Sequence, residues 1–217
     1  MHTALFFFGL LIISSPGAPA WETEKNALTG SVQEQAKYDK VLAAFLDSIY
    51  YEDQRYRQMI DSVEKTFGFG SDEMKKLEKA MMRADSLNLV AVTNILDTRG
   101  WLGPDIVSPR GNTALFLVIQ HAELETQKKY LPLLRDAVKK KNAQPRHWAL
   151  MEDRVALSEG RKQIYGSQLQ WNEKTGKMEL GPIEDEANVD VRRASVGLPP
   201  LEEYLKSFGI DYKPVKK

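Results

Sequence analysis

Asn112-Thr113-Ala114-Leu115-Phe116-Leu117-Val118-Ile119-Gln120-His121 is the stretch on which the fold turns. It reads as the most apolar helix of the chain, starting at Asn112 or Thr113 and ending on a polar pair, Gln120-His121. Helical patterns flank it on both sides. Upstream, Val41, Phe45, Ile49, Tyr56, Met59, Ile60 and Val63 recur at helical spacing and predict one helix from Val32 to about Phe67. Gly68-Phe69-Gly70 ends it, and Ser71-Asp72 supplies an N-cap and first-turn acid for the next, whose apolar face carries Met74, Leu77, Met81 and Met82. A break near Asp85-Ser86 precedes a third helix, Leu89 to Leu96, closed by Gly100. Trp101 to Arg110, punctuated by Gly and Pro, reads as a loop.

Downstream, a helix from about Thr126 to Lys141 turns Tyr130, Leu133, Leu134, Ala137 and Val138 inward. Pro145 starts another, which stops before Gly160. The pattern then changes. Gln163 to Trp171 alternates like a strand, Asn172 to Gly176 turns, and Lys177 to Leu180 returns. Short helices follow near 188–196 and 200–208. The expected fold is mainly α: a single helical domain over 32–208, with a small late β-hairpin at about 163–180 packed on the helices. A flexible segment at 21–31 and a basic tail at 209–217 flank it. No repeat of fixed period is present.

The chain has 217 residues, 30 basic and 30 acidic side chains, three His and no Cys. That balance argues against a nucleic-acid partner, which calls for a basic footprint. The missing thiols exclude disulfides, a thiolate zinc site, a Cys nucleophile and a lipid anchor on Cys. Residues 1–20 hold no Asp, Glu, Lys or Arg; their apolar run Ala4 to Ile13 is too short to span a bilayer and ends in Ala18-Pro19-Ala20. These residues read as a signal peptide, so the protein is expected to be exported, periplasmic or extracellular, without a stable membrane anchor.

Several polar residues sit where apolar ones are expected. His121 ends the apolar helix, where Leu117 and Leu124 mark the buried side; a partly buried imidazole there is a general acid or base, or else a cap on its own helix. Asp153-Arg154 lies among Leu150, Met151 and Val155, so at least one charge points inward; His147 can share a face with Arg154. Arg154 is suited to an anionic group, or to a structural ion pair that ties its helix to the hairpin. In Gln163-Ile164-Tyr165-Gly166-Ser167-Gln168, alternation puts Gln163, Tyr165 and Ser167 on one face, and the glycine marks a close approach; an edge strand meeting solvent is the other reading. Asp53 and Arg57, one turn apart, read as an ion pair on a solvated helix face. Glu184-Asp185-Glu186 reads as a solvated acidic turn. No HExxH, Walker A, GxGxxG or GxSxG pattern occurs, and two downstream histidines are thin support for a metal site, so no metal or cofactor is assigned.

Asp53-Gln54-x-x-Arg57, Asn88 before Ile95-Leu96, Gly100-Trp101, Gln120-His121, Asp153-Arg154 and Gln163-x-Tyr165-Gly166-Ser167-Gln168 occur together in this order. From about Asp53 to Leu205 the chain resembles the bacterial domain of unknown function 6624, a family whose pattern more often has Thr at position 167 and Pro at 102. The resemblance implies no reaction; it implies that these polar residues form a set. The expectation is a cleft where the hairpin meets the helices, holding a small-molecule ligand. In it His121 is the acid–base group, Arg154 binds an anion, and Gln120, Tyr165 and Gln168 orient the ligand, with Asp153 orienting Arg154 or His121. The competing expectation is a buried polar network that only fixes packing. The leader is tested by mass spectrometry of the protein from an exporting bacterial host: the expected N-terminus is Trp21, and retention of Met1 in the exported fraction refutes it.

Overall fold

The computed structural model describes residues 38–214. The leader expected at 1–20, the segment 21–31 and the first residues of the helix expected from Val32 lie outside the described residues, as do the last three of the tail. Among the described residues six helices come first: α1 (Lys40–Arg57), α2 (Ile60–Phe67), α3 (Asp72–Arg99), α4 (Pro104–His121), α5 (Leu124–Lys139) and α6 (Pro145–Ser158). The hairpin β1 (Leu169–Asn172) and β2 (Lys177–Leu180) follows, then a 3-10 turn at Glu186–Asn188 and the short helices α7 (Val189–Ser195) and α8 (Leu201–Lys206). The chain is therefore mainly helical with one small antiparallel sheet, as its periodicity predicts.

α4 is the centre. Ala114, Leu115, Phe116, Leu117 and Ile119 are each 0% exposed, because a helix apolar on all sides must be enclosed on all sides. α1, α3 and α5 pack around it. Asn112 fastens its first turns by donating from Nδ2 to the carbonyls of Leu102 and Asn142, both at 2.7 Å. Ile183, Val189, Leu201 and Leu205 make a second, smaller cluster under the hairpin, on which Leu169, Leu180, Ile210 and Tyr212 pack. Tyr212 also donates to Glu186, which docks the first part of the expected tail.

Four local expectations are corrected. The long first helix divides: the Met59 N–H bonds Tyr56 O, three residues back, and this tighter turn redirects the chain so that α2 packs on α3. Its inward face also differs in phase, since Val41 and Phe45 are exposed while Ala43, Leu46, Ile49, Asp53 and Gln54 are buried. No break occurs at Asp85-Ser86; the Ser86 hydroxyl bonds Met82 O one turn back, inside a continuous α3, rather than capping a new helix. The stretch 101–110 is no simple loop. Pro104 opens α4, the backbone leaves helical values at Val107 and Ser108, and Pro109 re-enters them with Ser108 Oγ accepting from Gly111 N.

The fourth correction matters most for the site. Residues 163–168 form no strand beyond one bridge, Gln163 to Ile183, because the N–H groups of Ile164, Tyr165, Ser167 and Gln168 are directed to side chains instead of a ladder. Asp153, 0% exposed, accepts from Ile164 N at 2.7 Å, Tyr165 N at 3.0 Å and Ser167 N at 2.9 Å. Gly166 has φ 63°, and a Cβ there would stand 2.6 Å from Ile183 Cδ1, so the close approach is by the second core cluster. Gln163 clasps the same loop, donating to Gln168 O and Gly181 O and accepting from Gln168 N. Arg193 donates to Tyr165 O and Gly166 O, and Tyr204 to Ser167 O. Burial pushes the Asp153 carboxyl above its ordinary value, against the pull of those N–H groups. Asp153→Ala, which strands three buried N–H groups, is expected to lose about 3–5 kcal/mol of stability in urea denaturation. Asp153→Asn, which keeps an acceptor, is expected to lose less; an Ala variant as stable as the parent refutes this docking role.

Candidate functional site

One turn of α1, the end of α4, a turn of α3 and the middle of α6 meet around His121. Position 53 continues the true inward stripe of α1, Ala43-Leu46-Ile49, so Asp53 enters the interior and is 1% exposed. His121 projects from the last turn of α4, its side chain 13% exposed, and its Nδ1 lies 3.0 Å from Asp53 Oδ1. Gln54 Nε2 donates to Asp53 Oδ2 at 2.7 Å. Arg57 forks onto Asp85, Nη1 to Oδ1 at 3.0 Å and Nη2 to Oδ2 at 2.9 Å, and its Nη1 also donates to Asp53 O. The solvated i,i+4 pair expected of Asp53 and Arg57 is thus corrected: both are anchored inward, with Arg57 Nη1 3.5 Å from Asp53 Oδ1.

Arg154 reaches the same helix end from α6. Its Nη1 donates to Gln120 O at 2.8 Å and its Nε to Gln168 Oε1 at 3.1 Å. A guanidinium on the last carbonyls of α4 complements the negative pole of that helix. Burial and the Arg57 charge push the Arg154 pKa down to about 10, which leaves it cationic at neutral pH. Gln168 Nε2 donates to Leu150 O and Ser167 Oγ. Gln120 is 1% exposed, yet neither atom of its amide has a partner among the described residues, and the same holds for Asn88 Nδ2. A buried amide without partners costs free energy unless something binds it.

Electrostatics fix the protonation states. Burial pulls the Asp53 carboxyl up, but the His121 contact, Arg57 and Gln54 outweigh it and hold it below its ordinary value. Burial lowers the His121 pKa, Asp53 opposes, and Arg57 and Arg154 lower it further; the net direction is down. The lowered His121 pKa favours a neutral imidazole at neutral pH, beside an Asp53 carboxylate that the Arg57 and Gln54 contacts also support. Because a carboxylate only accepts, Nδ1 carries the proton and donates it, and Nε2 keeps the lone pair. Both pKa values are depressed by folding, so the stabilisation they lend is complete above the unfolded His value of about 6.5 and drains as pH falls.

Of the residues predicted for a site, Gln120, His121, Arg154 and Gln168 come together. Asp153 and Tyr165 lie in the loop-docking network, Tyr165 edge-on to Trp148 with ring centroids 6.0 Å apart. His147 does not join Arg154; it stacks on Phe116 at 4.2 Å. Sequence reasoning missed Asp53 as the partner of His121. Its signal is an acid at the next inward position of the Ala43-Leu46-Ile49 stripe, masked because Val41, Phe45 and Ile49 fit a helical period too. Among the described residues no three His, Asp or Glu are grouped to hold a metal, and no helix is long and apolar enough to cross a membrane.

The tautomer is testable by nitrogen-resolved NMR. His121 is expected to hold its neutral proton on Nδ1 and to titrate below the ordinary value, and Asp53→Asn, which removes the opposing charge, to lower that pKa further. An Nε2–H tautomer or a raised pKa would sink the assignment.

No curated protein and no solved structure matches the chain. Residues 42–215, which begin within α1 and include every residue of the site, match the family of unknown function DUF6624. The chain belongs to that family.

Proposed function

We propose that this is an exported protein that binds a small anionic or polar ligand beside His121 and can move a proton on it. The observation that carries the reading is the Asp53–His121 contact at 3.0 Å. A buried carboxylate that fixes the tautomer and orientation of an imidazole leaves Nε2 as a base, and stabilises the imidazolium once the proton is taken. A purely structural histidine has no need of a buried carboxylate whose own desolvation is costly. Arg154, cationic at neutral pH, supplies attraction for an anion. The partnerless Gln120 amide offers one donor group and one acceptor, the complement a polar ligand needs. Export rests on the charge-free leader with its Ala18-Pro19-Ala20 ending.

A purely structural reading is favoured at a neighbouring place. Asp153, Gln163 and Tyr204 are tied to the 163–168 backbone, which supports a role of that network in docking the hairpin layer. The ligand reading therefore applies to the His121 end of the molecule, and the packing reading to the loop.

The experiment is a thermal-shift screen of carboxylate and phosphate metabolites and of divalent metals. A ligand that binds only the folded state raises the melting temperature. The expected result is a shift that His121→Gln and Gln120→Leu remove while each variant still unfolds cooperatively. A screen without a hit, or a shift that survives both substitutions, rejects the reading.

A further inference from the structure

A cavity of about 300 Å³, with Ser167 in its lining, opens between α4, α6 and the turn before α8. His121, Arg154 and Gln168 are not among its lining residues, so it is not the centre described above. Its size falls at the lower end of small-ligand sites, roughly 300–1,000 Å³. Its walls are largely apolar: Phe116, His147, Leu150 and Leu198 contribute to them. Its charge is one-sided, because Arg146 and Arg193 line it, with Arg110, which pairs with Asp47 outside it at 3.7 Å, and no Asp or Glu is among its described lining residues.

Arg193 is the unusual member. It is 1% exposed, and its Nε and Nη1 are fixed by three carbonyls, those of Pro199, Tyr165 and Gly166, at 2.6, 2.7 and 3.2 Å. Its guanidinium lies over the Tyr204 ring, 4.9 Å from the centroid; no carboxylate stands within ion-pair distance of it among the described residues, and no hydrogen bond there engages its Nη2. A buried cation held rigid by neutral acceptors is costly and preorganised for an anion. Arg146, half-buried at the start of α6, likewise has no ion-pair partner among the described residues. His147 adds no positive charge: burial and Arg146 hold its pKa down to about 3. Its ring stacks nearly parallel to Phe116 and presents a flat wall with it.

We propose that this cavity is a second binding site, for an amphipathic anion: an aromatic or short acyl body bearing a carboxylate or phosphate, with Arg193 and Arg146 holding the charged end. The apolar walls take the body, and the unneutralised guanidiniums select for negative charge. The site is independent of the proton-transfer proposal.

Calorimetric titration of the purified protein with naphthoate tests this, with naphthylmethanol as the neutral analogue and acetate as the anion without a body. Naphthoate is expected to bind, and the other two at least about 10-fold more weakly, as a charge-assisted contact and an apolar body each imply. Arg146→Gln, a half-exposed position, is expected to keep the melting temperature and weaken naphthoate about 10-fold. Leu198→Trp, which fills the cavity, is expected to abolish binding, while His121→Gln keeps it. The proposal is overturned if naphthoate does not bind at millimolar concentration, or if the alcohol or acetate binds equally well. It is also overturned if Arg146→Gln or Leu198→Trp leaves the affinity unchanged, or if His121→Gln removes binding.

Discussion

One buried carboxylate holds the two parts of this molecule together. Asp153 sits at 0% exposure on α6 and gathers the N–H groups of Ile164, Tyr165 and Ser167. Those donors belong to a loop without a sheet partner, so a side chain must satisfy what a strand ladder ordinarily would. Once the loop is pinned to α6, Gln168 is presented to Arg154, Ser167 forms part of the cavity wall, and Gly166 lies against Ile183 and Leu201 of the second cluster. A two-stranded hairpin is marginal alone; here its support comes from this polar joint and from four buried aliphatic side chains.

The polar residues fall into two systems with different physics. Around 163–168, donors and acceptors are matched, and such matching specifies one packing arrangement. Around His121 they are not all matched: Asp53 and the imidazole pair, Arg57 is committed to Asp85, yet the Gln120 amide is left without a described partner. The unmatched amide is one of the observations behind the proposed ligand site. Arg193 stands at the edge of the matched system, fixed by three carbonyls and lying over the Tyr204 ring.

Much of the helical framework was legible. The apolar run 114–119, the Ser71 cap, the Gly100 stop and Pro145 at a helix start each act through local forces, and each is found where the sequence puts it. Gln120, His121, Arg154 and Gln168 were also legible, as polar residues out of place against an apolar background. What went astray depended on phase and partner. Val41, Phe45 and Ile49 fit a helical period as well as Ala43, Leu46 and Ile49 do, and small Ala43 carries little weight in a hydrophobic pattern, so periodicity alone does not set the inward phase. The Asp85-Ser86 break failed for a related reason: Asp85 is held by Arg57 of another helix, and Ser86 bonds within its own turn.

The sequence by itself determined a mainly helical chain around one all-apolar helix, a late hairpin, neutral charge without thiols, and a set of misplaced polar residues, because helix periodicity, capping and composition act over a few neighbouring positions. Only the tertiary structure decided that Asp53 belongs to His121, 68 positions away, and that Asp153 belongs to a loop backbone and not to Arg154. It alone enclosed a cavity whose charge comes from α4, α6 and α7. Those pairings lie between elements whose relative rotation is set by packing of the whole core, and a buried charge finds its partner only after that rotation is fixed.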